Sequence, residues 1–251
     1  MNLVMAWISP FFFQIGNLSI FTARCYQALF ARQHAEDVLK QMLRIGVESL
    51  PIVIGVTAFV GMNTVVQGYQ MMSILGAQDM VGMFLSMAAV RELAPIMAAA
   101  LVGAKAGCGM ASEIATMKIR EQIDALEVMS IDPMRFIVAP RLIASIIMVP
   151  LISIVALWTC IAAGYIVAVY QFNLNGVAFL EEVYRYISFT DVTNVVIKSF
   201  VFAAVAFPII TYAGFQASGG ARGVGDATNQ AIVWGSIAII TANAIMTAMM
   251  Y

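Results

Sequence analysis

Charge is scarce in this 251-residue chain: 11% of its residues are Asp, Glu, Lys or Arg, against roughly 25% in soluble domains. With 62% hydrophobic residues and a mean hydropathy of +0.90, too little polar surface remains to coat a water-soluble sphere, which excludes an ordinary cytosolic enzyme. Charge of one sign is missing too. Lys and Arg number 13 against 14 Asp and Glu, a net charge of −1, so no global field recruits DNA or RNA and nucleic acid drops out as a partner. A single histidine, His34, and the cysteines Cys25, Cys108 and Cys160, none in a CxxC pair, can assemble neither a zinc cluster nor a disulfide framework within one chain. No metal ligand is assigned. Neither GxSxG nor HExxH occurs, which speaks against an intramembrane hydrolase and leaves no residue with a catalytic role. The GxxxxGK[ST] phosphate loop is absent as well, so this chain is expected to hold no cofactor of its own.

Long apolar runs are what the chain has instead. About 20 residues of helix cross roughly 30 Å of hydrocarbon, where every backbone group must be bonded internally. Five runs qualify: Ser49–Val66, entered through Pro51 and closed by Gln67, Gly68 and Tyr69; Met80–Gly107; Phe136–Tyr170, long enough to require tilt, a kink at Pro150 or protrusion; Val192–Gln216; and Thr228–Tyr251. Arg24, Arg32, Lys40, Arg44, Lys118, Arg120, Arg135, Arg141 and Arg222 fall before the first run and after the second and fourth. Those segments are expected on the cytoplasmic side, with the N-terminus cytoplasmic and the C-terminus periplasmic. The opposite loops, around Ser73–Asp79 and Gln171–Asp191, hold only Arg185, with Lys198 just inside the fourth run.

Residues 1–46 read as a separate segment. Leu3–Ala23 carries no charge, but Pro10, Gln14, Gly16, Asn17 and Ser19 interrupt it and the stretch to Arg44 is amphipathic. The expectation is a helix lying in the membrane interface rather than a sixth span, and no cleaved signal peptide, because no positive residue precedes the apolar run. Residues 47–251 read as one membrane domain without linker or repeat. The fold class expected is therefore an all-α integral membrane protein: an N-terminal interfacial helix plus five transmembrane helices.

One stretch is different. Residues 112–133 hold Glu113, Lys118, Arg120, Glu121, Asp124, Glu127 and Asp132, so the segment must be solvated. Ile119, Ile123 and Leu126 recur at helical spacing, Ser112 can cap a start, and Asp132-Pro133 stops a helix. The spacing predicts one amphipathic helix of about five turns. Within the second run, Arg91 and Glu92 each disfavour insertion by roughly 2.5–3.5 kcal/mol at a span's centre. Pointing about 100° apart, they cannot neutralise one another face to face, so at least one needs a partner on another helix, across a dimer or in a wet cavity. They either clamp helices together or line the path of an amphipathic substrate, where Arg91 can meet a phosphate. Ala99, Gly103, Gly107 and Ala111 repeat every four residues and bare one helix face for close packing, against this chain or a second copy. Met71, Met72, Met80, Met83 and Met87 either fill core or offer adaptable surface to acyl chains. Gly219–Gly225 superficially suggests a phosphate cradle, but no strand precedes it and no lysine follows; it reads as a flexible turn.

The succession Arg91-Glu-Leu-Ala-Pro95, Glu113-Ile-Ala-Thr-Met-Lys118, Glu121-Gln-Ile-Asp-Ala-Leu-Glu-Val-Met129, Asp132-Pro133 and Pro140-Arg-Leu142, with Gly219-Gly-Ala-Arg-Gly-Val-Gly225 further on, resembles the MlaE (YrbE-type, MCE-associated) permease family of ABC transporters. The resemblance runs from about Val47 to the C-terminus. It implies that residues 112–133 form a cytoplasmic coupling helix docked on an ABC ATPase subunit through Glu113, Lys118, Glu121, Gln122, Asp124 and Leu126, with ATP and Mg on that partner. It implies a homodimer in a bacterial inner membrane, moving glycerophospholipid to or from a periplasmic MCE-domain protein, with Arg91, Glu92 and Pro95 along the substrate path. A small STAS-domain subunit on the ATPase is a further partner the resemblance allows. The rival reading is an ion- or proton-coupled carrier that uses Glu92 as a titrating site and needs no ATPase.

Overall fold

The computed structural model describes residues 2–29 and 34–250, with side chains from residue 16 onward; Arg32 and the side chains of Pro10 and Gln14 lie outside the described residues. Among the described residues there is helix and turn and no strand. In chain order the helices are α1 (Asn2–Leu29), α2 (Ala35–Ile74), α3 (Gln78–Ile119), α4 (Gln122–Val128), α5 (Met134–Tyr170), α6 (Gly176–Tyr186), α7 (Phe189–Phe215) and α8 (Ala221–Met250). Of these, α2, α3, α5, α7 and α8 are long and apolar enough to cross a membrane. The fold is the all-α membrane architecture the apolar runs predict.

The helices overrun those runs. Once nucleated, a helix gains one hydrogen bond for each residue it adds, whether or not that residue is apolar. Thus α2 passes through Gln67, Gly68 and Tyr69, read above as its end, and stops at Ile74. It also starts at Ala35 and crosses the expected boundary at residue 46 by a 3₁₀ turn at Val47–Ser49, so the amphipathic stretch before Arg44 runs without a break into the helix that follows. The 42 residues of α3 amount to about 63 Å of helix, twice the hydrocarbon thickness. Pro150 lies inside α5, which continues through it.

Three local expectations are corrected. The five-turn helix over residues 112–133 does not form. Instead α3 runs on to Ile119 with Ser112 in mid-helix, where its carbonyl accepts from Thr116 Oγ1 at 2.8 Å; the chain then turns through Glu121 at φ 57° into the short α4. The corner lets Ile123 fold back onto Ile114 and Ile137, with Met117, Leu126 and Phe215 around them, which a straight helix cannot do. The end of α4 is fixed by Ser130 N–H on Glu127 O and Ile131 N–H on Leu126 O, both 2.9 Å, with Ser130 left-handed at φ 60°, a Schellman ending. The loop at Gln171–Asp191 contains α6, whose cap is the Asn175 side chain, accepting from Val177 N–H at 2.9 Å and Ala178 N–H at 3.4 Å. Of Gly219–Gly225, only Gly219 and Gly220 turn, at φ 86° and 74°; the remainder is already α8.

The chain divides into two compact units. One comprises the residues up to Met42, Gly103–Ser145 and Ala204–Ile237. Here α1 packs on α7: Phe21 stands edge-on to Tyr212 and Phe215 at 5.2 and 5.3 Å between ring centroids, and Tyr26 Oη donates to Ala204 O at 2.6 Å. The other comprises Leu43–Val102, Ile146–Ala203 and the chain from Ala238 onward. It closes on glycines: a Cβ on Gly61 would strike the Cys160 backbone, and one on Gly82 would come within 2.6 Å of Phe179 O, where α3 meets α6.

Candidate functional site

The second unit holds a polar cluster in the apolar part of α3, and its cause is Pro95. A helical proline has no N–H for the carbonyl four residues back, and its ring crowds that carbonyl. Here the carbonyl is that of Arg91. Immediately before the proline the helix widens into a π turn, Ala89–Leu93, in which Ala94 N–H bonds Ala89 O five residues back. The same pattern recurs at Met134–Val138, where Ala139 N–H bonds Met134 O just ahead of Pro140. At the first turn, Lys198 of α7 supplies the missing donor: its Nζ lies 2.6 Å from Arg91 O.

Lys198 is wholly buried. Its Nζ also donates to Thr247 Oγ1 at 2.8 Å and stands 3.5 Å from Glu92 Oε1. Thr247 Oγ1 donates in turn to Glu92 Oε1 at 2.8 Å, and Asn243 Nδ2 donates to Glu92 Oε2 at 2.8 Å. Asn243 and Thr247 are four residues apart, hence on one face of α8. The partner that Glu92 requires is therefore in its own chain, and the arrangement ties α3, α7 and α8 together. Arg91 is half-buried and Pro95 buried. A buried charge survives only when paired and hydrogen-bonded, and Glu92 and Lys198 meet that condition together. Residue-level reading had flagged Arg91 and Glu92; Lys198, Asn243 and Thr247 were missed as their partners, although a lysine inside a span is a signal for an opposite charge.

The first unit carries the charged segment. Arg141 Nη2 pairs with Glu113 Oε2 at 3.1 Å while Arg141 Nη1 donates to Ile137 O at 2.7 Å, so the α3 end is braced against the start of α5. Lys118 Nζ binds Asp124 Oδ1 at 2.7 Å across the corner. Of the six expected partner contacts, Glu113 and Lys118 thus act within the chain, and Leu126 packs against the Ile114 cluster. Glu121, Gln122 and Asp124 are exposed. Beside them Val128 and Met129, 86% and 61% exposed, form an apolar tip that charge counting overlooked.

The small-residue face meets its own chain. Gly103, Gly107, Ala99 and Ala111 are all buried. A Cβ on Gly107 would lie 2.9 Å from Ile210 Cδ1, and one on Gly214 only 2.8 Å from Ala111 O, so α7 fills the bare face beside Gly107 and Ala111. Lys105, unread in the sequence, stands exposed in a further π turn of α3, Gly103–Gly107. None of Met71, Met72, Met80, Met83 and Met87 is fully buried.

Comparison with known proteins finds the same family. The family model described as "Permease MlaE" matches residues 38–249. A protein of Rickettsia typhi named "Probable ABC transporter permease protein" is 36% identical over 214 residues, 85% of this chain and 83% of its own length. The "Intermembrane phospholipid transport system permease protein MlaE" of Haemophilus influenzae is 31% identical over 88% of this chain and 85% of its own. The chloroplastic protein TRIGALACTOSYLDIACYLGLYCEROL 1 of Arabidopsis thaliana is 30% identical over 87% of this chain and 62% of its own.

Proposed function

The chain belongs to the MlaE permease family, and from that premise we propose that it is the membrane subunit of an ATP-driven transporter moving glycerophospholipid between a bacterial inner membrane and a periplasmic MCE-domain protein. As an ABC transporter permease it spans the membrane with α2, α3, α5, α7 and α8. The substrate class is taken from the Haemophilus relative, whose name specifies phospholipid transport between membranes. The working unit is a homodimer with two ATPase subunits carrying ATP and Mg, with the N-terminus and the charged segment cytoplasmic and the C-terminus periplasmic; a STAS-domain subunit on the ATPase completes the assembly.

The observation that carries this reading is the braced corner at residues 118–132. Docking needs an exposed surface with apolar anchorage and charges that set orientation. Val128 and Met129 supply the first, and Glu121 and Asp124 the second. A docked corner transmits force only if it is stiff, and the Lys118–Asp124 and Arg141–Glu113 pairs, with the Ile123 contact, hold it to α3 and α5. Closure of the ATPases then moves α3, the helix that also bears Arg91 and Glu92. Arg91 meets the lipid phosphate, while Glu92 holds the helices together. Both Glu92 oxygens are engaged by Lys198, Thr247 and Asn243, the bonding of a clamp between helices, and no observation favours the carrier reading.

The test is co-purification. The pair Glu121→Lys and Met129→Asp, chosen because neither side chain braces the corner, should abolish recovery of the ATPase on the tagged permease while leaving its membrane abundance unchanged. Undiminished recovery of the ATPase would overturn the coupling assignment.

A further inference from the structure

Within the first unit, α1, the end of α3, α4, the start of α5 and the end of α7 line an open cavity of about 450 Å³, within the usual range for small-ligand sites. Two pairs in or beside its wall are already satisfied: Lys118 with Asp124 at 2.7 Å, and Arg135 with Asp132 at 3.3 Å. The two remaining charged groups on the wall are Arg24 from α1 and Glu127 from α4. Neither has an ion-pair partner among the described residues, and they do not pair with each other. The cavity therefore presents one unpaired cation and one unpaired anion, with Gln27 as a further polar group and with Ile123, Met134 and Phe215 as its greasy wall.

We infer that this cavity binds the zwitterionic headgroup of a glycerophospholipid bearing a primary ammonium, its phosphate on Arg24 and its ammonium on Glu127. A guanidinium forms short, charge-assisted bonds to phosphate oxygens, and a carboxylate accepts from an ammonium in the same way. An anionic headgroup without the ammonium would leave Glu127 facing a second negative charge, so the pairing selects for the zwitterion. The apolar wall of Phe215, Met134 and Ile123 suits the glycerol and first methylenes that accompany such a headgroup. The bound lipid bridges α1 to the corner and is distinct from cargo near Arg91, because every lining residue belongs to the unit that lacks Arg91. The inference shares with the proposed function only the placement of the corner at the cytoplasmic leaflet; intact ATPase recovery with no lipid at the cavity would sink it alone.

The experiment uses the full chain with its ATPase, in nanodiscs containing a phosphatidylethanolamine whose acyl chain carries a diazirine beside the glycerol. After photolysis, peptides bearing Met134 or Phe215 should carry the label, and Arg24→Ala and Glu127→Ala should each reduce it roughly tenfold, the worth of one charge-assisted bond; Arg24→Lys should restore much of it. Unlabelled phosphatidylethanolamine should compete, and phosphatidylglycerol should compete poorly. Competition by soluble phosphoethanolamine at equal concentration would assign the cavity to a free phosphate compound and overturn the lipid inference. Equal labelling of wild type and both variants, or labelling that appears only when the ATPase is removed, would overturn it as well, the second by giving the cavity to the ATPase.

Discussion

Replacing Lys198 with methionine removes a fully buried ammonium while keeping most of its volume. Arg91 O then has no donor in place of the N–H that Pro95 lacks, and Glu92 keeps only Thr247 and Asn243. Removing one partner of a buried ion pair costs about 3–5 kcal/mol. Because the Glu92 side chain retains 36% exposure, water recovers part of this, and about 2–4 kcal/mol is expected. At roughly 2–4 °C per kcal/mol for a chain of this size, Tm should fall by about 5–15 °C. Glu92→Gln in the same background removes the stranded charge, so the double variant should lose at least about 1 kcal/mol less than the sum of the singles. Pro95→Ala restores the N–H for Arg91 O and should lessen the Lys198→Met loss in the same way. The assay is thermal or SDS unfolding of the purified chain in detergent, run for the four corners of each cycle. A Lys198→Met protein within about 0.5 kcal/mol of wild type, or strictly additive cycles, would refute the claim that these groups form one unit.

Further perturbations reach other parts of the fold. Tyr26→Phe strips the donor from Ala204 O and should cost about 1–2 kcal/mol; the loss should shrink when Pro208→Ala is added, and calorimetry or detergent melting of the pair reads this directly. Gly61→Ala drives a methyl into the Cys160 backbone, which cannot yield as a flexible side chain would, so the variant should fall below wild type by at least about 1–3 kcal/mol in the same melting assay. Burial pushes the Cys25 thiol from its ordinary 9.0 up to about 12. In a chain with Cys108 and Cys160 replaced by serine, maleimide should barely label it at pH 8 until the protein unfolds. A folded-state value above the unfolded one means the stability held at Cys25 is full below pH 9 and declines as pH rises toward 12; labelling at the rate of a free thiol would contradict the burial.

The lipid-compatible middle of each span was legible because apolar runs are the strongest signal a sequence carries. Helix ends were not, since past the hydrocarbon nothing about Gln67 or Gln78 distinguishes helix from loop. The charged segment was found, yet its shape was misread: Ile119, Ile123 and Leu126 keep helical spacing on both sides of the corner, and the left-handed residue that makes the turn is Glu121 rather than a glycine. For α6 the signals were present in Asn175 as a cap and in Phe179 and Val183, four apart and both buried; counting charges across Gln171–Asp191 passed over them. Arg91 and Glu92 declared themselves by their cost, but the three residues that relieve Glu92 lie 106 to 155 positions away, a separation at which periodicity says nothing.

One rule joins these long-range contacts to the sequence. In water a carbonyl deprived of its helical N–H by a proline is solvated at little cost, whereas among lipid-facing helices a donor from the protein is worth more, and two of the prolines in this chain have one. Pro95 deprives Arg91 O, and Lys198 of α7 reaches it at 2.6 Å. Pro208 deprives Ala204 O, and Tyr26 of α1 reaches it at 2.6 Å. In each case the donor comes from a different helix, so a local defect in one helix becomes a directional tie to another. At Arg91 the tie brings a cation into the apolar interior, and that cation requires Glu92, with Thr247 and Asn243 satisfying what remains. The polar cluster of the second unit thus follows from one proline: the charge in the span answers a backbone vacancy, and the vacancy fixes which helix must supply it.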